Sequence, residues 1–263
     1  MDFTQKKYRE FCQAIVKEGY TSVTVAELVQ NSDLKLNEKK IILRHDVDRM
    51  SSTALDLAII ENEFGLKASY YFRLPYSFDK EIISNISKLN HEIGLHYETV
   101  DKAKGDMIKA KAIMDKELAI MRELGEIQTV SMHGNPLSKF DNRDFWKHYK
   151  LESFNIIGEV YLSIDFEKVL YFSDTGRTWE DNKYNLKDII PSNQKRITNK
   201  KELKTTNDLI SFLKENECNL YINTHPERWS KNLFHYSIAF IKDLLFNGIK
   251  TVMIAKNKIK FLK

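Results

Sequence analysis

Short apolar runs that stop abruptly at a histidine, an arginine or an aspartate recur along this chain. They constrain its fold more than any other feature. KKIILRHDVD (39–48) is the first; its apolar residues run straight into charge, the shape of a buried strand whose end opens on something polar. ASYYF (68–72) runs into Arg73, EIGLH (92–96) ends on His96, IQTVSMH (127–133) on His133, and CNLYINTH (218–225) on His225. NIIGEVY (155–161), KVLYFSD (168–174) and TVMIA (251–255) are further strand segments. Between them lie helical patterns at about 52–64, 79–89, 102–124, 206–216 and 232–247, with glycine breaks at Gly65, Gly125 and Gly248. Strands alternating with helices predict an α/β fold built on a mainly parallel sheet or a barrel.

The first forty residues read differently. TQKKYREFCQAIVKEGY has helical spacing, with Phe11, Ile15 and Val16 on or near one face and Gly19 as the stop, and residues 22–30 suggest a second short helix. No repeat of fixed period and no low-complexity tract divides the 263 residues, a length that suits one large core. Residues 173–204, rich in Asn, Asp and Lys, form the longest irregular stretch and are expected to make a lid or rim loop.

In parallel α/β folds the carboxyl edge of the sheet is where sites are built. Four of the seven histidines, His45, His96, His133 and His225, fall at the carboxyl end of an expected strand, and Asp46 and Asp48 follow the first. Imidazoles and carboxylates together suit a divalent metal, zinc first, with nickel, cobalt, manganese or iron also possible. Such an ion lowers the pKa of bound water, and a neighbouring carboxylate can take the proton, which is a hydrolytic toolkit. Asp46 and Asp48 share a face if the strand persists, so one could ligate while the other serves as base. Alternatively, one of them caps the helix that opens near RMSSTALDL.

Each remaining candidate also has a plainer reading. In HEIGLH, positions five apart lie on opposite faces of a strand, so His96 at the exit is the functional candidate and His91 reads as scaffold, satisfying a backbone group. His133, before Gly134 and Pro136, is a ligand, a substrate contact or a buried turn residue, and Asp141 reads as the cap of a helix through Phe145 and Trp146. His225 precedes Pro226 and is suited to protonate a leaving amine, with Glu227, Arg228 and Trp229 beside it to orient it or line the pocket. Asp174 and Arg177 in FSDTGRTWED could position an acid–base group, clamp an anionic substrate or form a plain salt bridge. Arg44 and Arg73 read as surface residues.

With these residues in view, the chain over about 40–255 resembles the polysaccharide deacetylase family, carbohydrate esterases with a NodB-like domain. The resemblance implies a distorted (β/α) barrel, often of seven strands. It also implies an Asp-His-His metal triad, commonly holding zinc, that removes acetyl groups. HDVD matches the family's aspartate motif, giving Asp46 the base position and Asp48 the ligand position, with Val47 inserted between them. HEIGLHYETV matches the next motif with His96 as first metal histidine, but the second falls at Val100, which cannot ligate; His133 is the candidate replacement. MHGNP stands near the place of the usual arginine-proline motif, INTH matches the motif ending in the catalytic histidine, and Asp174 and Trp179 loosely match the motif between them.

The expectation is therefore a single NodB-like domain over 1–263, with 1–40 as a helical extension packed on the barrel. Its expected activity is hydrolysis of an acetyl group from an N-acetylated sugar or related amide, catalysed by Asp46, His225, Asp174 and Arg177 around a metal held by Asp48, His96 and His133. Alternatives are another metal-dependent C–N hydrolase or deaminase, or a non-catalytic carbohydrate-binding protein. Composition narrows partners. With 41 Lys+Arg against 37 Asp+Glu and no basic block on a recognisable binding fold, no nucleic acid is expected. Two cysteines, Cys12 and Cys218, make no disulfide framework and no cysteine zinc motif. MDFTQKKYREF lacks the apolar core of a signal peptide, and no run approaches membrane-spanning length. A cytoplasmic address follows as an expectation, with a small-molecule or glycan substrate such as a nucleotide- or lipid-linked sugar.

Overall fold

A computed structural model of the chain describes residues 1–31, 38–179, 190, 203–232, 236–237 and 241. In chain order the elements are α1 (Gln5–Lys17), β1 (Thr21–Val23), α2 (Val25–Gln30), β2 (Lys40–Val47) and α3 (Ser51–Glu63). There follow β3 (Ser69–Phe72), α4 (Lys80–Lys88), β4 (Glu92–Tyr97), α5 (Thr99–Lys102), α6 (Met107–Arg122) and β5 (Thr129–Met132). Then come β6 (Gly158–Glu159), β7 (Leu170–Ser173), α7 (Thr206–Glu215) and β8 (Leu220–Thr224).

Seven strands lie edge to edge in the order β6-β5-β4-β3-β2-β8-β7, all parallel, and β1 pairs with the first residues of β2. The order is that of a ring cut between β6 and β7. The sheet is therefore a curled, open half-barrel flanked by helices, consistent with the expected distorted (β/α) barrel. The segment ahead of β2 supplies a strand as well as helices. Its Thr24 side chain and Glu27 form a reciprocal cap that starts α2 later than the sequence pattern suggests. The helix expected over 102–124 is two helices, because Gly105 turns the chain at φ 86° and Asp106 caps a new start. Around Asp141 there is only a 3-10 turn, Asn142–Lys147, capped by the Asp141 side chain. The expected strand at 251–255 and most of the helix at 232–247 and the loop at 173–204 lie outside the described residues. No described helix is long and apolar enough to cross a membrane.

The two faces of the sheet differ in chemistry. Outside, β2 carries His45 into a fully buried cluster under α1 and α3. There its ring meets Thr224 Oγ1 at 2.5 Å and Glu61 Oε1 at 2.7 Å, while Tyr8 and Tyr70 hydroxyls donate to the same carboxylate. His91 joins from β4's entrance: it accepts from Ala68 N and meets Ala58 O, both at 3.1 Å, the scaffold role its spacing suggests. Inside, register aligns Arg44 with Asn223, Asp46 with Tyr71 and Tyr171 with Tyr221, so the barrel interior is lined by polar and aromatic groups.

Gly94 shows how tightly that interior is filled. Tyr71 spans from β3 to β5, its hydroxyl 2.7 Å from Thr129 Oγ1. A Cβ on Gly94, in the strand between, would meet the Tyr71 ring at 2.4 Å and the Thr129 carbonyl at 2.9 Å. The glycine of HEIG is thus required by close approach. Gly94→Ala is expected to destabilise the fold by about 1–3 kcal/mol through overpacking. A urea midpoint equal to the wild type's would refute this.

Candidate functional site

Three of the four expected histidines turn into the carboxyl mouth of the half-barrel, and His45 does not. On β2, side chains alternate, so Arg44 and Asp46 face the interior while His45 faces the helices. One step past β2, Asp48 stands at the mouth. His96 comes from β4 and His133 from the exit of β5, whose backbone N donates to Tyr97 O at 2.8 Å. Asp48, His96 and His133 each offer one ligand atom, and the three atoms lie within 4.8 Å of one another.

The His96 ring is aimed by a hydrogen bond. His96 Nδ1 lies 3.0 Å from the Ser131 carbonyl, which fixes a proton there and leaves Nε2 3.5 Å from Asp48 Oδ1. His133 Nδ1 lies 3.4 Å from Glu98 Oε2, and its Nε2 is likewise 3.5 Å from Asp48 Oδ1. Glu98 is itself held by Arg73 at 2.5 Å. Burial pushes the Glu98 carboxyl up, but His133 and Arg73 outweigh it and bring it to about 2. The Glu98 carboxylate thus stands at ion-pair distance from His133 Nδ1, which makes no hydrogen bond among the described residues. Asp48 Oδ1 is buried and has no hydrogen-bond partner among the described residues, although both Nε2 atoms face it. An acceptor left so between two imidazoles fits a divalent ion better than it fits a closed hydrogen-bond network. Val100, where the resembled motif would carry its second histidine, is buried in α5, and its N–H goes to Asn142.

Below the cluster, Asp46 is clamped. Arg44 Nε and Nη2 donate to its two oxygens at 2.8 and 2.6 Å, and Asn223 Nδ2 donates at 3.2 Å. Burial raises the Asp46 carboxyl, and Arg44, His96 and His225 overcome that to hold it below its ordinary value. The surface reading of Arg44 is therefore corrected: it is fully buried and also donates to Tyr161 at 2.9 Å. Its signal was present, since a residue two before Asp46 on a strand must share its face. Arg73 is also no free surface group; it pairs with Glu98 and lies over the Tyr76 ring at 4.3 Å.

Asp174 and His225 form a second unit at the ends of β7 and β8. Asp174 is fully buried and receives His225 Nδ1 at 2.7 Å, the His225 backbone N at 3.0 Å, Arg228 Nη1 at 2.6 Å and Trp229 Nε1 at 3.0 Å. Burial raises its carboxyl, yet Arg228 and His225 bring it down to about 2. For His225, burial and Arg228 lower the pKa, and Asp174 reverses the balance so that it ends above its ordinary value. The guanidinium on Asp174 is thus that of Arg228. Arg177, expected beside Asp174, lies over the Phe3 and Tyr236 rings at 5.7 and 5.1 Å. Trp179 is core, its indole N–H on Thr206 and its ring beside Phe3, and the tryptophan that touches Asp174 is Trp229. The two units sense one another: Asp46 and Asp48 both feel the charge of His225.

No protein-family model matches this chain, and no curated protein does. Among solved structures, the Streptococcus pyogenes deacetylase PplD in complex with acetate is similar at a TM-score of 0.35 and 14% identity. That likeness covers 48% of this chain and 61% of the other. What stands on this chain's own geometry is a His/His/Asp cluster at the mouth of a half-barrel, His96 buried and Asp48 and His133 half-buried, capable of holding a divalent metal beside an Asp–His pair.

Proposed function

We propose that this protein is a metal-dependent hydrolase that removes an acetyl group from an N-acetylated sugar or related amide. The observation that supports this most is the convergence of Asp48, His96 and His133 within 4.8 Å, with His96 Nδ1 held on the Ser131 carbonyl and His133 Nδ1 3.4 Å from Glu98. These three residues would hold the ion, and their mixed nitrogen and oxygen donors suit zinc. Bound there, the ion would supply Lewis-acid polarisation of the acyl carbonyl and acidification of water.

The chain's own residues do the rest. Asp46 accepts the proton of the attacking water: of the roughly four acceptor positions of a carboxylate, Arg44 and Asn223 occupy three. The same donors keep it ionised and fixed in direction. His225, protonated through Asp174, gives its proton to the departing amine. Arg228 and Trp229 anchor Asp174 so that the imidazole stays in one orientation. A soluble glycan or a nucleotide- or lipid-linked sugar, met in the cytoplasm, is the proposed substrate class.

Acetate release from N-acetylhexosamine oligomers and nucleotide-linked N-acetyl sugars tests this, using protein stripped by a chelator and reloaded with zinc. Reloading should restore the activity that stripping removes. Undiminished release by the stripped protein would exclude metal dependence, and tight zinc binding without acetate release would favour another C–N hydrolase.

A further inference from the structure

The first N–H groups of a helix have no partner within it and need acceptors from elsewhere. Glu98 stands in the capping position of α5, but its side chain accepts none of them. Its carboxylate pairs with Arg73 at 2.5 Å and stands 3.4 Å from His133 Nδ1. Asn142, 2% exposed at the start of its 3-10 turn, supplies the acceptor instead. The N–H groups of Val100 and Asp101 both donate to its Oδ1 at 3.1 Å. Its Nδ2 donates to the His133 carbonyl at 2.9 Å and to Asp101 Oδ2 at 3.2 Å. Two donors meet one end of the amide and two acceptors the other, so exchanging the ends would break all four bonds. The Ser138 hydroxyl, between His133 and Asn142 in the chain, also donates to Asp101. The His133 N–H goes to Tyr97 O at 2.8 Å, so the backbone of this residue is held on both sides.

We propose that Asn142 is the positioning residue for His133: one buried amide caps α5, which leaves Glu98 to stand beside the imidazole, and ties the His133 backbone to the same helix start. The proposal rests on the reading of Asp48, His96 and His133 as a metal centre. It gives a physical route by which a histidine from the exit of β5 serves where the resembled motif would carry its ligand in α5. The N–H of Val100, the residue at that motif position, and the carbonyl of His133 end on the same side chain. Losing the donor end of the amide would free His133 to shift, while His96 keeps its own bond to the Ser131 carbonyl.

Cobalt(II) tests this, since its visible absorption bands report ligand type and geometry without any turnover. Metal-free wild type, N142A, N142D, D101N/N142D and H96A would each be titrated, with near-ultraviolet circular dichroism verifying the fold. N142D keeps the acceptor for α5 and loses the donor to His133, so it separates the two ends of the amide even where N142A does not fold. N142D should weaken binding roughly 10- to 100-fold, the range for groups that orient metal ligands. It should also alter the bands at saturating cobalt. Wild-type affinity in N142D overturns the proposal, because Asn142 would then serve α5 alone. Weaker binding with wild-type bands overturns it as well, as a general loosening. So does recovery of wild-type affinity in D101N/N142D, which would assign the loss to repulsion between two carboxylates. Wild-type binding by H96A, or no binding by the wild type, would instead overturn the metal centre itself and the proposal with it.

Discussion

His133→Ala should cost this protein its divalent ion and lower hydrolysis by about 1,000-fold or more, the loss expected when several kcal/mol of transition-state stabilisation disappears. The motif position that would carry a second metal histidine is Val100, buried in α5 with its N–H on Asn142. His133 reaches the mouth from the next strand, and its Nε2 faces the same Asp48 oxygen, at the same 3.5 Å, as Nε2 of His96. Two imidazoles that converge on one buried, unmet carboxylate oxygen act as a pair. Removing either leaves too few donors for a tight site. Glu98→Gln should do less, because the ring keeps its place and loses only the neighbouring anion 3.4 Å from Nδ1. Zinc content after dialysis and turnover on an N-acetyl sugar are the measurements. Full zinc retention by His133→Ala would remove it from the site.

The second large effect concerns the proton given to the leaving group. Asp174→Asn is expected to lower turnover at neutral pH by roughly 100- to 10,000-fold, the range for losing a general acid. It should also move the alkaline limb of the pH profile to lower pH. The sign follows from the charges around His225. A general acid works while it carries its proton, so activity holds below the His225 pKa and falls as pH rises through it. In the wild type that pKa is raised, because Asp174 overcomes burial and Arg228, both of which lower it. Asparagine removes the raising charge and leaves the lowering ones. The same substitution alters acid stability. With its carboxyl at about 2, Asp174 stabilises the fold above its ordinary value near 3.8 and loses that contribution as pH falls through about 2. An alkaline limb unmoved in Asp174→Asn would show that Asp174 does not govern His225.

How far these residues were legible in the sequence depended on how local their geometry is. The strand exits could be read because an apolar run ending in His or Asp is a property of a few consecutive residues, and His96, His133 and His225 do reach one mouth. Alternation along a strand also separates His91 from His96, and it separates His45 from Asp46. Applied to β2, the same rule places Arg44 beside Asp46, where a buried bidentate pair is found. The pairing of Asp174 was not local. Arg177 is three residues away and Arg228 is fifty-four, yet the chain turns Arg228 back onto the carboxylate while Arg177 lies over Phe3. Likewise, nothing near Glu98 in sequence announces that it stands beside His133, thirty-five residues on.

The sequence by itself determined an α/β chain of alternating strands and helices, with its chemistry at the carboxyl edge. Periodicity, capping and turn chemistry act over a few residues and are written directly in residue order. Only the tertiary structure decided which exits meet: that His45 turns away to Glu61, and that His96 and His133 come together at Asp48. Those outcomes depend on strand order and on register across the curled sheet. Residues far apart in the chain become neighbours there, and a step of one residue reverses the face that each side chain presents.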